Sequence, residues 1–82
     1  MHEWKITEAV VEEVLKQSRN HRMQKVKKVV LSYGEEGDLK AGEIEFCFKA
    51  IAQDTILCSV NLEIKKRKGG GGIIVESIEG KK

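Results

Sequence analysis

Two segments of the chain carry apolar residues at helical spacing. Over residues 4–19, Ile6, Val10 and Val14 recur at every fourth position, and charged side chains occupy the opposite side. Over residues 41–53, a second apolar stripe recurs at intervals of three and four: Ile44, Cys47, Phe48 and Ile51. Each pattern gives one apolar face, so we predict two amphipathic helices that cover a shared core.

Three further segments have the composition or the alternation of strands. Residues 25–33 are rich in β-branched residues, and residues 73–79 form a shorter segment of the same kind. Apolar and polar residues alternate most regularly over residues 56–66, which predicts a strand with one buried and one solvent-exposed face. This pattern places Cys58 on the buried face. The predicted order is therefore helix, strand, helix, strand, strand.

This order predicts an α+β fold, with two helices packed on one face of a small three-stranded mixed sheet. A strand–helix–strand unit crosses over right-handed, which makes its two strands parallel. We interpret Gly69–Gly72 as a flexible, hairpin-like connection, so the last strand is expected to run antiparallel to its predecessor. The uncovered sheet face leaves a homodimer, a domain swap or a protein-interaction module without metal as open alternatives.

Composition limits the class of protein further. The chain has 82 residues, of which 40% are hydrophobic, so we expect one domain over residues 1–82 with a thin core. No apolar run approaches the roughly 20 residues of a membrane span, and no apolar signal core follows the N-terminus. The two cysteines form no Cys-x-x-Cys pair. These features predict a cytoplasmic protein with reduced thiols, no structural zinc and no membrane partner.

Two basic segments interrupt an otherwise balanced charge of +2. Residues 19–28 hold five cations and no acid, and residues 65–68 read Lys-Lys-Arg-Lys. Weak binding of RNA or another anion is one interpretation, and solvated strand ends are the other. Four aromatic residues that are not interleaved with the cations disfavour nucleic acid.

Candidate chemistry is concentrated in the first three residues, Met1-His2-Glu3. The terminal amine, the backbone nitrogen of His2 and its imidazole can close a five-membered and a six-membered chelate, and Glu3 adds a backbone nitrogen or a carboxylate. Nitrogen-rich ligand sets favour square-planar Ni(II) or Cu(II), and they bind only when deprotonated. The residues alone favour the simpler interpretation, which is a histidine on a frayed terminus.

The other reactive side chains have simpler interpretations as well. His21 follows the first helix and is interpreted as a capping or solvated residue. Cys47 and Cys58 are interpreted as small buried hydrophobes. Because no nucleophile–base pair or carboxylate pair can be named, an enzyme is the least expected class.

Several motifs are similar to those of the HypA family, the nickel-insertion accessory proteins of nickel–iron hydrogenase maturation. The chain begins with Met-His-Glu, as the family does, and further family motifs follow in register over most of its length. In chain order they are Val26-Lys27-Lys28-Val29, Gly34-Glu35, Phe46-Cys47-Phe48, Thr55, Leu62-Glu63-Ile64 and residues 74–79. Each motif is short, and together they make the resemblance fairly specific.

The resemblance implies a role and a set of site residues. In the family, the histidine at the second position binds nickel with the terminal amine and nearby backbone groups, and the adjacent glutamate assists. Carried over, this makes His2, Met1 through its amine, and Glu3 the expected ligands of Ni(II). The implied function is that of a nickel metallochaperone, with the HypB GTPase and the hydrogenase large subunit as partners and no catalysed reaction.

One large departure from the family lies in the glycine run. Between its last two strands the family carries an insertion with two Cys-x-x-Cys pairs that bind structural zinc, and Gly69–Gly72 stand in that place here. We therefore expect no structural zinc in this chain, and we expect nickel delivery to be affected more than nickel binding. The sequence leaves open whether the run is natural or engineered.

Overall fold

The computed structural model describes residues 2–82 and has the predicted order of elements. Their bounds are α1 His2–Asn20, β1 Lys25–Gly34, α2 Ala41–Ala52, β2 Asn61–Arg67 and β3 Ile73–Lys81. β1 is the central strand; it runs parallel to β2 and antiparallel to β3. The predicted α+β fold with a mixed three-stranded sheet is confirmed. Within the described residues, no helix is both long and apolar enough to cross a membrane.

The core lies between the helices and one face of the sheet. Its fully buried members include residues of both helices and of the central strand, among them Val14, Val29, Leu31, Ile44 and Phe48. Burying a side chain of this size contributes about 1.5–3 kcal/mol relative to leaving it in water. The helical and alternating patterns of the sequence therefore identified the faces that drive folding.

The second strand is shorter than predicted. The sequence pattern predicts a strand over residues 56–66, whereas β2 begins at Asn61. The Thr55 hydroxyl accepts a hydrogen bond from the Leu57 N–H (3.0 Å) and donates one to the last carbonyl of α2 (2.8 Å). The hydroxyl of Thr55 competes with strand pairing for the nearby backbone N–H and C=O groups, so a turn forms here. The turn buries Leu57 and leaves Cys58 exposed. The placement of Cys58 on an inward strand face is therefore wrong.

The last strand runs antiparallel to β2, as predicted, but it pairs with β1. The glycine run therefore crosses the end of β1 and is not a hairpin between neighbouring strands. The Gly34 N–H donates to the Gly72 carbonyl (3.0 Å), and the Gly70 N–H donates to the Glu36 carboxylate (2.8 Å). Gly69, Gly70 and Gly72 have φ values of 71–75°, the left-handed region that favours glycine. The run is thus a hydrogen-bonded turn, which differs from the flexible connection that was predicted.

The two basic segments lie at opposite ends of the sheet. Because β1 and β2 are parallel, the start of one at Lys25 and the end of the other at Arg67 are far apart. Within the sheet, Lys28 and Lys65 both contact the Glu63 carboxylate, at 3.3 and 3.7 Å. The hydrogen bond and charge of Lys28, with the charge of Lys65, lower the pKa of Glu63. The two segments therefore approach each other at Lys28 and Lys65, where the Glu63 carboxylate lies between the two cations.

Candidate functional site

The candidate ligands lie at the start of α1. The structure describes the backbone of His2 and all of Glu3, whereas Met1 and the side chain of His2 lie outside the described residues. α1 begins at His2, which puts Glu3 in its first turn. The first four N–H groups of a helix have no acceptor within the helix. The backbone nitrogens of both residues are therefore uncommitted to the helical ladder.

Helix electrostatics act on any ligand at this position. The N-terminus of a helix carries a partial positive charge, which stabilises anionic groups and opposes a bare cation. A metal ion at the start of α1 therefore has to be held by ligands that carry negative charge themselves. A deprotonated backbone nitrogen and the half-buried Glu3 carboxylate are groups of that kind.

The start of α2 lies beside the start of α1. The two helices pack against each other, and residues from both first turns line one shallow cavity of about 280 Å³. Glu3, Trp4, Gly42 and Glu43 come from the first turns, and Phe46 and Cys47 come from the second turn of α2. The sequence patterns did not connect Glu43 or Phe46 with the N-terminal motif, because the contact depends on how two separate helices pack.

Cys47 lies at the floor of this cavity and is only 4% exposed. Burial raises the pKa of its thiol, and the nearby carboxylates of Glu3 and Glu43 raise that pKa further. The thiolate is the form that reacts and binds metals. The protonated Cys47 thiol is therefore a poor nucleophile and a poor ligand near neutral pH, as its interpretation as a buried hydrophobe predicts.

The two cysteines should differ sharply in reactivity, because Cys58 is exposed in its turn and Cys47 is buried. We expect a maleimide at neutral pH to label Cys58 at least about tenfold faster than Cys47, since thiol reactivity follows thiolate content and access. Mass spectrometry of the native chain over time measures this, and Cys58→Ser is the control that leaves only the slow reaction. Two equally fast thiols would contradict the placement of either residue.

Other candidate ligands remain apart from the motif. His21 is exposed beyond the far end of α1, about 28 Å from His2 along the helix axis at the usual rise per residue. Its N–H donates to the Gln17 carbonyl at 3.0 Å, so it closes the helix end. Among the side chains that the structure describes, no three histidine, cysteine or acidic groups come together as metal ligands.

Comparison with known sequences places the chain in one family. Residues 1–71 match the profile described as hydrogenase/urease nickel incorporation, metallochaperone, HypA. Proteins named hydrogenase maturation factor HypA are 41% identical in Crocosphaera subtropica and 38% identical in Geobacter metallireducens, each over 71 residues. These matches cover 87% of this chain but only 60% and 62% of the relatives. The chain therefore spans about three fifths of the length of these relatives.

Solved structures share the fold. The solution structure of the Ni metallochaperone HypA from Helicobacter pylori has a TM-score of 0.85 at 12% identity, over 96% of this chain and 97% of that one. A second structure, described as the solution structure of HypA protein, has a TM-score of 0.69 at 12% identity, over 98% and 92% of the two chains. At this identity the likeness establishes the architecture. With the profile match over most of its length, the chain belongs to the HypA family of nickel-incorporation metallochaperones.

Proposed function

We propose that this domain binds one Ni(II) ion at its first three residues. The ligands are the terminal amine of Met1, the backbone nitrogen and imidazole of His2, and a backbone or carboxylate group of Glu3. The observation that carries the proposal is the start of α1 at His2, which leaves these backbone nitrogens outside the helical ladder. Nickel can therefore bind there without breaking a helical hydrogen bond.

The pH dependence of nickel binding follows from the acid–base chemistry of the ligands. The amine and imidazole bind once they lose their protons, so nickel affinity falls with decreasing pH. The positive end of α1 helps the His2 backbone nitrogen to give up its proton, because it stabilises the resulting anion. Nickel is the cargo here, so ligands at a chain terminus suit a site from which the ion is handed on.

The proposed role is nickel delivery during hydrogenase maturation in the cytoplasm, without catalysis by this chain. The relatives named hydrogenase maturation factors support that role, and the HypB GTPase and the hydrogenase large subunit are the proposed partners. Gly69–Gly72 are proposed to stand where the family's zinc-binding insertion lies, so no structural zinc is expected. The profile match ends at residue 71, inside this run, which supports the assignment.

Isothermal titration of the tag-free chain with Ni(II) tests the proposal. We expect one ion per chain, and we expect His2→Ala to weaken binding by more than about 100-fold, since even outer-shell changes cost about 10–100-fold. His21→Ala is the matched control and should keep the affinity, because His21 lies at the other end of α1. Equal affinities in the parent chain and His2→Ala would refute the site.

A further inference from the structure

An aromatic patch is exposed where the first turns of α1 and α2 meet. Trp4 is 37% exposed, and Phe46 is 72% exposed although it lies on a helix whose other large apolar residues are largely buried. Both side chains line the shallow cavity at the two helix starts, with Cys47 at its floor. Single exposed apolar residues are ordinary, but two aromatic residues from neighbouring helices form a contiguous patch, the kind of surface that contacts partners.

Gly42 keeps the space beside these rings open. It is exposed in the first turn of α2, and a Cβ atom placed on it would meet no atom within 4 Å. Glycine is a poor helix former compared with alanine, and nothing in the packing around residue 42 requires one. The free space above Gly42 is therefore available to a group from outside the chain.

Negative charge borders the patch. The carboxylates of Glu3 and Glu43 belong to residues that line the same cavity. Lys49, one turn beyond Phe46 on α2, lies 3.6 Å from the Glu45 carboxylate in an exposed pair. Aromatic faces and carboxylates both attract cations. The patch therefore complements a positively charged side chain that also carries apolar surface.

We propose that this patch, formed by Trp4, Gly42 and Phe46 and bordered by Glu3 and Glu43, docks a partner protein through an arginine or lysine flanked by apolar residues. The cation lies against the aromatic rings and faces the carboxylates. Its hydrocarbon stem fills the space over Gly42, as long cationic side chains do on apolar surfaces. Docking itself needs no metal. That the docked partner then lies within reach of nickel rests on the proposed function.

Fluorescence of Trp4, the single tryptophan of the chain, reports on the patch directly. The probes are three matched peptides, acetyl-Leu-Arg-Leu-amide, acetyl-Leu-Lys-Leu-amide and acetyl-Leu-Glu-Leu-amide. We expect a saturable change with the two cationic peptides and none with the acidic one. Phe46→Ala should weaken binding at least about threefold, and Gly42→Gln should weaken it further by filling the space. Ile74→Ala, an exposed apolar residue on the uncovered sheet face, is the control and should bind like the parent chain.

Two results would overturn the proposal. One is equal binding of the acidic and cationic peptides, or unchanged binding in Gly42→Gln. The other is concentration-dependent dimerisation that Phe46→Ala abolishes, which would make a second copy of the chain the occupant. Nickel affinity of Phe46→Ala, measured in parallel, should equal that of the parent. A failed peptide result therefore leaves the nickel site standing, and a failed nickel titration leaves the peptide result standing.

Discussion

Gly34→Ala is expected to destabilise the domain by about 2–3 kcal/mol, the usual upper range for overpacking. A Cβ atom on Gly34 would overlap the Gly70 carbonyl and lie 2.7 Å from the Gly71 Cα. Both neighbours are backbone atoms of the glycine turn, which hydrogen bonds hold across the end of β1. No side-chain rotation can relieve the overlap, so the turn has to move and its hydrogen bonds have to break.

The matched control for this prediction is Gly42→Ala. A Cβ atom at Gly42 meets no atom within 4 Å, so the substitution adds a better helix former without a clash. We expect it to raise the free energy of unfolding by about 0.5–1 kcal/mol. Urea denaturation followed by circular dichroism measures both variants. A Gly34→Ala chain as stable as the parent would show that the glycine turn does not cross the end of β1 this closely.

The second large effect is expected from residues added before Met1. An N-terminal extension converts the α-amine into an amide, which gives up its proton far less readily and no longer offers a free lone pair. We expect this change to weaken nickel binding by more than about 100-fold near neutral pH, because a direct ligand is lost. The fold should be unaffected, since the added residues precede α1, which begins at His2.

The control for the extension carries the same residues after Lys82 instead. It has the same composition and the same added length, and it leaves the amine free, so it should bind nickel like the parent chain. Competition with a colourless nickel chelator measures the nickel affinities of the parent chain and of both extended chains on one scale. Comparable affinities for the N-terminally and C-terminally extended chains would remove the amine from the ligand set.

Much of the fold follows from the sequence because burial decides it. The helical stripe around Phe48 and the alternation around Leu31 each have one arrangement that hides the apolar face from water, and both residues are fully buried. The start of β2 could not be predicted in this way. The alternation near Cys58 fits a strand, but the two hydrogen bonds of the Thr55 hydroxyl stabilise a turn instead.

The sequence patterns also could not predict which strand pairs with β3 or which residues lie beside the N-terminal motif. Alternation gives the faces of a strand but not its neighbour, and the pairing with β1 requires the close crossing of the glycine turn over Gly34. The His2 motif could be predicted from the sequence because its proposed ligands are adjacent in the chain. Glu43 and Phe46 are 40 or more positions further along, and only the packing of α1 against α2 brings them beside it.

The most direct test of nickel binding at the first three residues is a nuclear magnetic resonance titration of the tag-free, isotope-labelled chain with Ni(II). Square-planar Ni(II) with nitrogen ligands is diamagnetic, so its neighbours shift without paramagnetic broadening. We expect such shifts to saturate at one equivalent and to centre on the first turn of α1, next to His2 and Glu3. Broadening centred on His21 or Cys58, or an unchanged spectrum at the start of α1, would contradict the proposed site.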